Sequence, residues 1–422
     1  MEYLVKYIGL NSSFFQAVSS SVSVIYRILI GYFLGLPVNA LSVNASISCF
    51  FSVLLEFPMG VYSDRCGKLF SIKLGLFFQF LASICLLVAI FTFKTSQTTF
   101  MWIFLVLEAV LDAVGNSLIS GSQEAFYQEL IDQNILEENK EEISSRIFSI
   151  SEQYGRWTKF LAPISFALLT YYLETTFKAG ALIIAATSIA WLALILHFNF
   201  LSNHFNHEEK YYTVHANLFK NFLSNLSFSS KLFLSNQMFM IFFLNGLVYL
   251  IFANYFIIDL LKINTIDLFK RENSIIFASL LSATTLLIRS YLMPTLSKKI
   301  NLITKVNLLL LFQFIASLLC LILVRNESLI ILIVFYISYV NLYGLIQKPL
   351  TGKITSNIPP EIRASFMSFL NLLILLMVSF FALLLSFSKS GTPGLKTIFY
   401  IILLTTLICI FFNNCSKNKI NF

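Results

Sequence analysis

Residues 56–73 read EFPMGVYSDRCGKLFSIK, a short polar interruption between two long apolar runs. Pro58 and Gly60 are expected to loosen the end of the preceding helix, and Asp64, Arg65, Lys68 and Lys73 resist entry into hydrocarbon. The stretch therefore predicts a hinge between two membrane helices. Composition makes the flanks spans rather than core helices. Of 422 residues, 57% are hydrophobic and 12% charged, and the mean hydropathy is +0.80. A spanning helix takes about 20 apolar residues, so the chain has room for many spans and little else. The net charge of +8 fits basic residues gathered in loops and gives no support to a nucleic-acid partner.

Working outward, apolar runs bounded by charge, Pro or Asn predict spans over 14–36, 39–61, 70–93, 99–123, 147–173 and 178–200, then over 237–261, 273–296, 302–324, 328–350, 362–388 and 394–413. This is an all-α integral membrane protein with twelve transmembrane helices. Two six-helix bundles, 1–200 and 237–422, flank a linker over 201–236. Seventeen Lys and Arg fall on the side of the 56–73 loop and eight on the other, which predicts a cytoplasmic loop and cytoplasmic termini. An internal repeat supports the same division. Offset by 234 residues, Phe78-Gln79-Phe80-Leu81-Ala82-Ser83 matches Phe312-Gln313-Phe314-Ile315-Ala316-Ser317, and Ser63-Asp64-Arg65 falls on Ser297-Lys298-Lys299. A weaker echo pairs Glu142, Ile143 and Ser149 with Glu361, Ile362 and Ser368.

The six cysteines form no C-x-x-C pair and sit in or beside apolar runs, so neither disulfides nor a thiolate metal site is expected. His204, His207 and His215 lie beside Glu208 and Glu209 in the linker. A solvated linker explains them better than a metal cluster, since nothing orients them as ligands. No cofactor is called for. The N-terminus lacks a basic region ahead of a short apolar core, so the first span is expected to remain as an anchor.

The spacing G-x-x-x-D-R-x-G-K, carried by Gly60, Asp64, Arg65, Gly67 and Lys68, resembles the loop between the second and third helices of the major facilitator superfamily of secondary transporters. Leu69 stands where many members carry a second basic residue. Ser120-Gly121-Ser122-Gln123-Glu124-Ala125, the Pro-x-Glu-x-Arg-Ala run ending Arg363-Ala364, and Glu56 with Pro58 resemble segments of a bacterial drug-efflux-like branch. In that branch a Tyr-Asp stands where this chain has Gln128-Glu129. The resemblance implies two parallel six-helix halves with a substrate site at the midplane. It also implies that the Asp64-Arg65 loop makes charge and helix-dipole contacts that hold one access state and release it in the other, with Glu56, Gly60, Gly67, Lys68, Glu124 and Arg363 belonging to the same gating set.

Charges inside the spans need a reason, because each costs about 2.5 to 3.5 kcal/mol at the bilayer centre on insertion scales. Arg27 lies within the first span, Glu108 and Asp112 one turn apart on the fourth, and Glu152, Arg156 and Lys159 along the fifth; Arg289 lies deep in the eighth. The resemblance places the first, fourth, seventh and tenth helices around the cavity. The expected substrate and proton path thus includes Arg27, Glu108, Asp112, Arg156, Lys159, Arg289, Tyr249 and Tyr339. On this reading Asp112 or Glu108 exchanges the coupling proton and Arg27 holds an anionic group of the substrate. Buried ion pairs that only stabilise one conformer are the plainer alternative.

The expected function is secondary active transport of a small organic molecule across the cell (inner) membrane by a monomer. Coupling to protons and outward transport are expected. Uptake of a carboxylate-bearing nutrient, amino acid or siderophore is the alternative. The sequence has no G-x-x-x-x-G-K-[ST] loop for ATP. A polytopic enzyme should gather acidic or histidine clusters at a membrane face, where only residues 129–142 qualify, and these read as a solvated helix or loop. The repeat and the hinge loop argue against a simple channel or a receptor-like binding protein.

Overall fold

The computed structural model describes residues 38–95, 97–134, 176–205, 218–235, 239–247 and 354–386, together with single positions or short runs within 6–18, at 144, and within 310–318, 350–352 and 404–410. The helices are α1 (Val38–Cys66), α2 (Lys68–Lys94), α3 (Thr98–Ile119), α4 (Ser122–Asn134), α5 (Thr176–His204), α6 (Leu218–Ser235) and α7 (Arg363–Ser386), the last preceded by a 3-10 turn, Pro360–Ile362. Among the described residues, four helical segments are long and apolar enough to cross a membrane, beginning at Lys68, Thr98, Ala181 and Pro360.

The chain divides into two compact units. One contains residues 1–144, 154–229 and 355–372; the other contains 145–153, 230–354 and 373–422. In the first, α2 packs against α3 and α5, and α3 against α1. Leu86, Ala89 and Ile90 of α2 meet Met101 and Leu105 of α3 and Ile184 of α5 in a buried apolar cluster. The close crossing of α2 and α3 rests on Gly75 and Gly115, where a Cβ on either would come within 2.8 Å of the other's carbonyl oxygen. Such small-residue crossings suit helices whose association in lipid depends on packing rather than on hydrophobic transfer. Outward-pointing Phe50, Phe91, Phe100, Ile189 and Leu196 are half or more exposed, a surface that suits acyl chains and not water. In the second unit, Phe233 and Phe243 meet edge to face, their ring centroids 5.6 Å apart.

Three expectations change. Pro58 does not end its helix: α1 runs through it to Cys66. The break falls instead at Gly67, whose φ of 98° is a left-handed conformation that a side chain disfavours. The fourth span does not continue to residue 123. It stops at Ile119, turns through Ser120 and Gly121, the latter with φ 72°, and resumes as α4. The expected linker holds a helix, α6, whose Ser229 and Phe233 are buried while Ser224, Ser227 and Lys231 are exposed. Of the linker histidines, His204 packs among Tyr7, Phe200 and Phe205, with ring centroids 4.9 to 5.4 Å away. His207 and His215 lie outside the described residues. Among the described residues no three His, Cys, Asp or Glu side chains gather as metal ligands.

Candidate functional site: a helix start held by the 56–73 loop

The site forms where the end of α1 and the start of α2 meet residues 358–371, all within the first unit. Helix α7 begins after Pro359 and Pro360, and no local side chain caps the turn that leads into it. The first amides of a helix point away from its own carbonyls and need acceptors from elsewhere. Asp64 supplies them from 300 residues away. Its Oδ1 accepts from the Ala364 amide at 3.0 Å and its Oδ2 from the Ser365 amide at 2.7 Å. One carboxylate thus caps two orphan donors and lies at the positive end of the helix dipole.

Lys68 gathers the charges around this cap. Its Nζ lies 2.7 Å from Glu129 Oε1 and 3.6 Å from Asp64 Oδ1, and it donates to the Pro360 carbonyl at 3.1 Å. Arg363 lies beside it, with Nη1 3.0 Å from Asp132 Oδ2, while Nε and Nη2 donate to the Ile358 carbonyl. Lys68 and Arg363 are buried, which a cation tolerates only when such partners surround it. Residues 129 and 132 were expected to be solvated. Both are half-buried and face buried cations, because α4 turns at Gly121 and lays this side along Lys68 of α2 and Arg363 of α7.

Glycines set the approach. A Cβ on Gly60 would lie 2.7 Å from Ser368 Cβ, and one on Gly121 would lie 2.7 Å from the Ala364 carbonyl oxygen. The helix start therefore beds into a cradle that side chains would fill. Ser368 Oγ donates to the Ser120 carbonyl at 3.2 Å, and Asn371 Nδ2 donates to Ser120 Oγ at 2.6 Å. Glu56 is buried beside them, next to Ser117, Ser120 and Asn371. Glu124 lies in the first turn of α4 and Arg65 in the last turn of α1, both half-buried. Of the gating set, Asp64, Lys68, Gly60 and Arg363 converge on this one contact, and Glu56 lies deeper along α1.

The expected substrate path is described in part. Glu108 and Asp112 are buried between α1, α2 and α3. Asn44 Nδ2 donates to Glu108 Oε2 at 2.6 Å and to the Leu105 carbonyl at 2.7 Å. Asp112 accepts from Ser48 at 2.9 Å, Gln79 at 3.1 Å and Asn116 at 3.0 Å, and Gln79 also bonds the Asp112 carbonyl. Arg27, Arg156, Lys159, Tyr249, Arg289 and Tyr339 lie outside the described residues. Sequence reading passed over Asn44, Ser48 and Gln79, although each is a polar residue in an apolar run and Gln79 is the polar member of the repeated Phe-Gln-Phe. It also passed over Asn371, and Ser120 entered it only as part of the 120–125 resemblance.

The fold is that of the major facilitator superfamily, an all-α membrane architecture of twelve helices. Over nearly its whole length the chain is similar to a bacterial homologue of the iron transporter ferroportin in an outward-facing state, at 18% identity, with 98% of each chain covered and a TM-score of 0.68. It is similar to the structure of such a homologue with soaked iron at 16% identity, with 97% of each chain covered and a TM-score of 0.68. The superfamily's proton:xylose symporter XylE, bound to 6-bromo-6-deoxy-D-glucose, matches at 10% identity over 97% of this chain and 94% of that one, with a TM-score of 0.63. No protein-family model and no curated protein matches the sequence. The likeness carries the fold and does not extend to the drug-efflux-like branch.

Proposed function

We propose that the protein is a secondary active transporter that moves a small organic molecule by alternating access of two six-helix halves, driven by a proton gradient and directed outward. The observation that carries this reading is the capping of the Ala364 and Ser365 amides by Asp64. A carboxylate on a distant helix start is a contact of a few kcal/mol at most, strong enough to bias an equilibrium and weak enough to break in each cycle. Lys68, Glu129, Asp132 and Arg363 tune it. The loop thus serves as a latch that holds one access state and releases the other. The neighbours of similar fold support transport as the class of activity, and an iron transporter homologue and a xylose symporter among them show that the fold does not choose the cargo.

The test is flux in proteoliposomes under an imposed proton gradient, screened across drugs, carboxylates, amino acids and siderophores. The expected result is a solute that moves against its own gradient, opposite to the proton flow, and that stops moving in Asp64→Asn. Movement of every compound independent of the proton gradient counts against the proposal.

A further inference from the structure

Glu56 is a buried acid beside the latch that the latch does not use. It is 4% exposed, lies two helical turns before Asp64 on α1, and its Oε1 has no hydrogen-bond partner. Among the described residues the groups beside it are neutral hydrogen-bonding side chains: Ser117 and Ser120 from the α3 end and Asn371 from α7. The titratable neighbour from α4 is Glu124, another acid, and along its own helix it is Asp64. An ionised carboxylate in such a place has neutral donors around it and no cation among the described residues to balance its charge, whereas the neutral acid loses little. Two of the groups that cover it, Ser120 and Asn371, are bonded to each other, and Asn371 arrives on the same helix that Asp64 caps.

We propose that Glu56 is the proton-carrying site of the transport cycle, loaded when the start of α7 is seated on it and discharged when that helix start leaves. This rests on the latch reading above and assigns the coupling step to a residue outside the expected path through Glu108 and Asp112. The linkage has a definite sign. Seating α7 removes water from Glu56, so the seated state favours the neutral acid and a fall in pH favours seating. Asp64 works the other way, because it caps as a carboxylate and protonation weakens the cap. The two acids therefore give the latch opposite responses to pH, and only the Glu56 response is lost when that residue is made neutral.

The experiment is a distance measurement between spin labels on the full chain in nanodiscs, at cysteines introduced at the exposed positions Gln133 and Glu361 in a background lacking the native cysteines. Populations of the short, seated distance are followed against pH. In the parent Glu56 should raise the ratio of seated to released forms by at most about tenfold per unit fall in pH, the limit for one proton, against the opposing fall from Asp64. Glu56→Gln, which is isosteric and uncharged, should abolish this rise and leave the opposing fall due to Asp64. Asn371→Asp, which sets a second carboxyl beside Glu56, should move the transition to higher pH by about one unit. Identical pH responses in the parent and Glu56→Gln overturn the proposal, as does an unmoved transition in Asn371→Asp. Asp64→Asn separates this failure from failure of the latch itself: an unchanged seated population in that variant sinks the latch reading whatever Glu56 does.

Discussion

Gly121 shows how narrowly single residues set this site. Its φ of 72° lies where an L side chain costs about 1 to 2 kcal/mol, and a Cβ there would meet the Ala364 carbonyl oxygen at 2.7 Å. Gly121→Ala should therefore unseat the start of α7, and hydrogen exchange of the 363–368 amides should become faster. Exchange no faster than in the parent would show that the cradle does not need the glycine. Asp112 is a different kind of residue. Three side-chain donors converge on its carboxylate, so Asp112→Asn turns one acceptor oxygen into an amide facing donors. A lower thermal unfolding midpoint is expected, consistent with a lost buried hydrogen bond of about 1 to 3 kcal/mol. An unchanged midpoint would leave Asp112 free for a role in transport alone. Both carboxylates on α3 were legible in sequence as residues needing a reason. Their donors were not, because Asn44, Ser48 and Gln79 lie on helices whose facing registers depend on packing.

At the scale of the element, the start of α7 is a helix without a cap of its own. Its preceding Pro359 and Pro360 carry no amide N–H of their own and supply no side-chain acceptor. The cap comes from Asp64, so the stability of one helix end is tied to the position of another element. Asp64→Asn keeps one oxygen acceptor and loses the charge. The expected outcome is faster exchange at the Ala364 and Ser365 amides, with the loss of about 0.5 to 2 kcal/mol typical of a helix cap. Lys68→Met should cost more, about 3 to 5 kcal/mol, because it leaves Asp64 and Glu129 near each other without their shared cation. Thermal unfolding in detergent reads this directly, and a midpoint equal to that of the parent would remove Lys68 from the load of the site. The glycine spacing and the Asp-Arg pair announced this loop, but the acids Glu129 and Asp132 read as solvated because their partial burial against Lys68 and Arg363 depends on a turn at Gly121 that hydropathy does not register.

On the scale of the whole molecule, the sequence determined the class. Long apolar runs separated by polar breaks such as 56–73 belong to a chain that must satisfy its backbone in lipid, which helices and closed barrels do, and runs of about 20 residues suit helices. Among the described helices, α2, α5 and α7 lie within a few residues of the spans expected from that constraint. Tertiary structure decided what no periodicity carries: that Asp64 reaches the amides of residues 364 and 365, that Lys68 and Arg363 take their partners from α4, and that Glu56 lies under Asn371. The physical reason is range. Span length and polarity are set by each segment's own contact with the bilayer, whereas a cap or an ion pair between residues 300 positions apart exists only when packing brings two helix ends within hydrogen-bond distance.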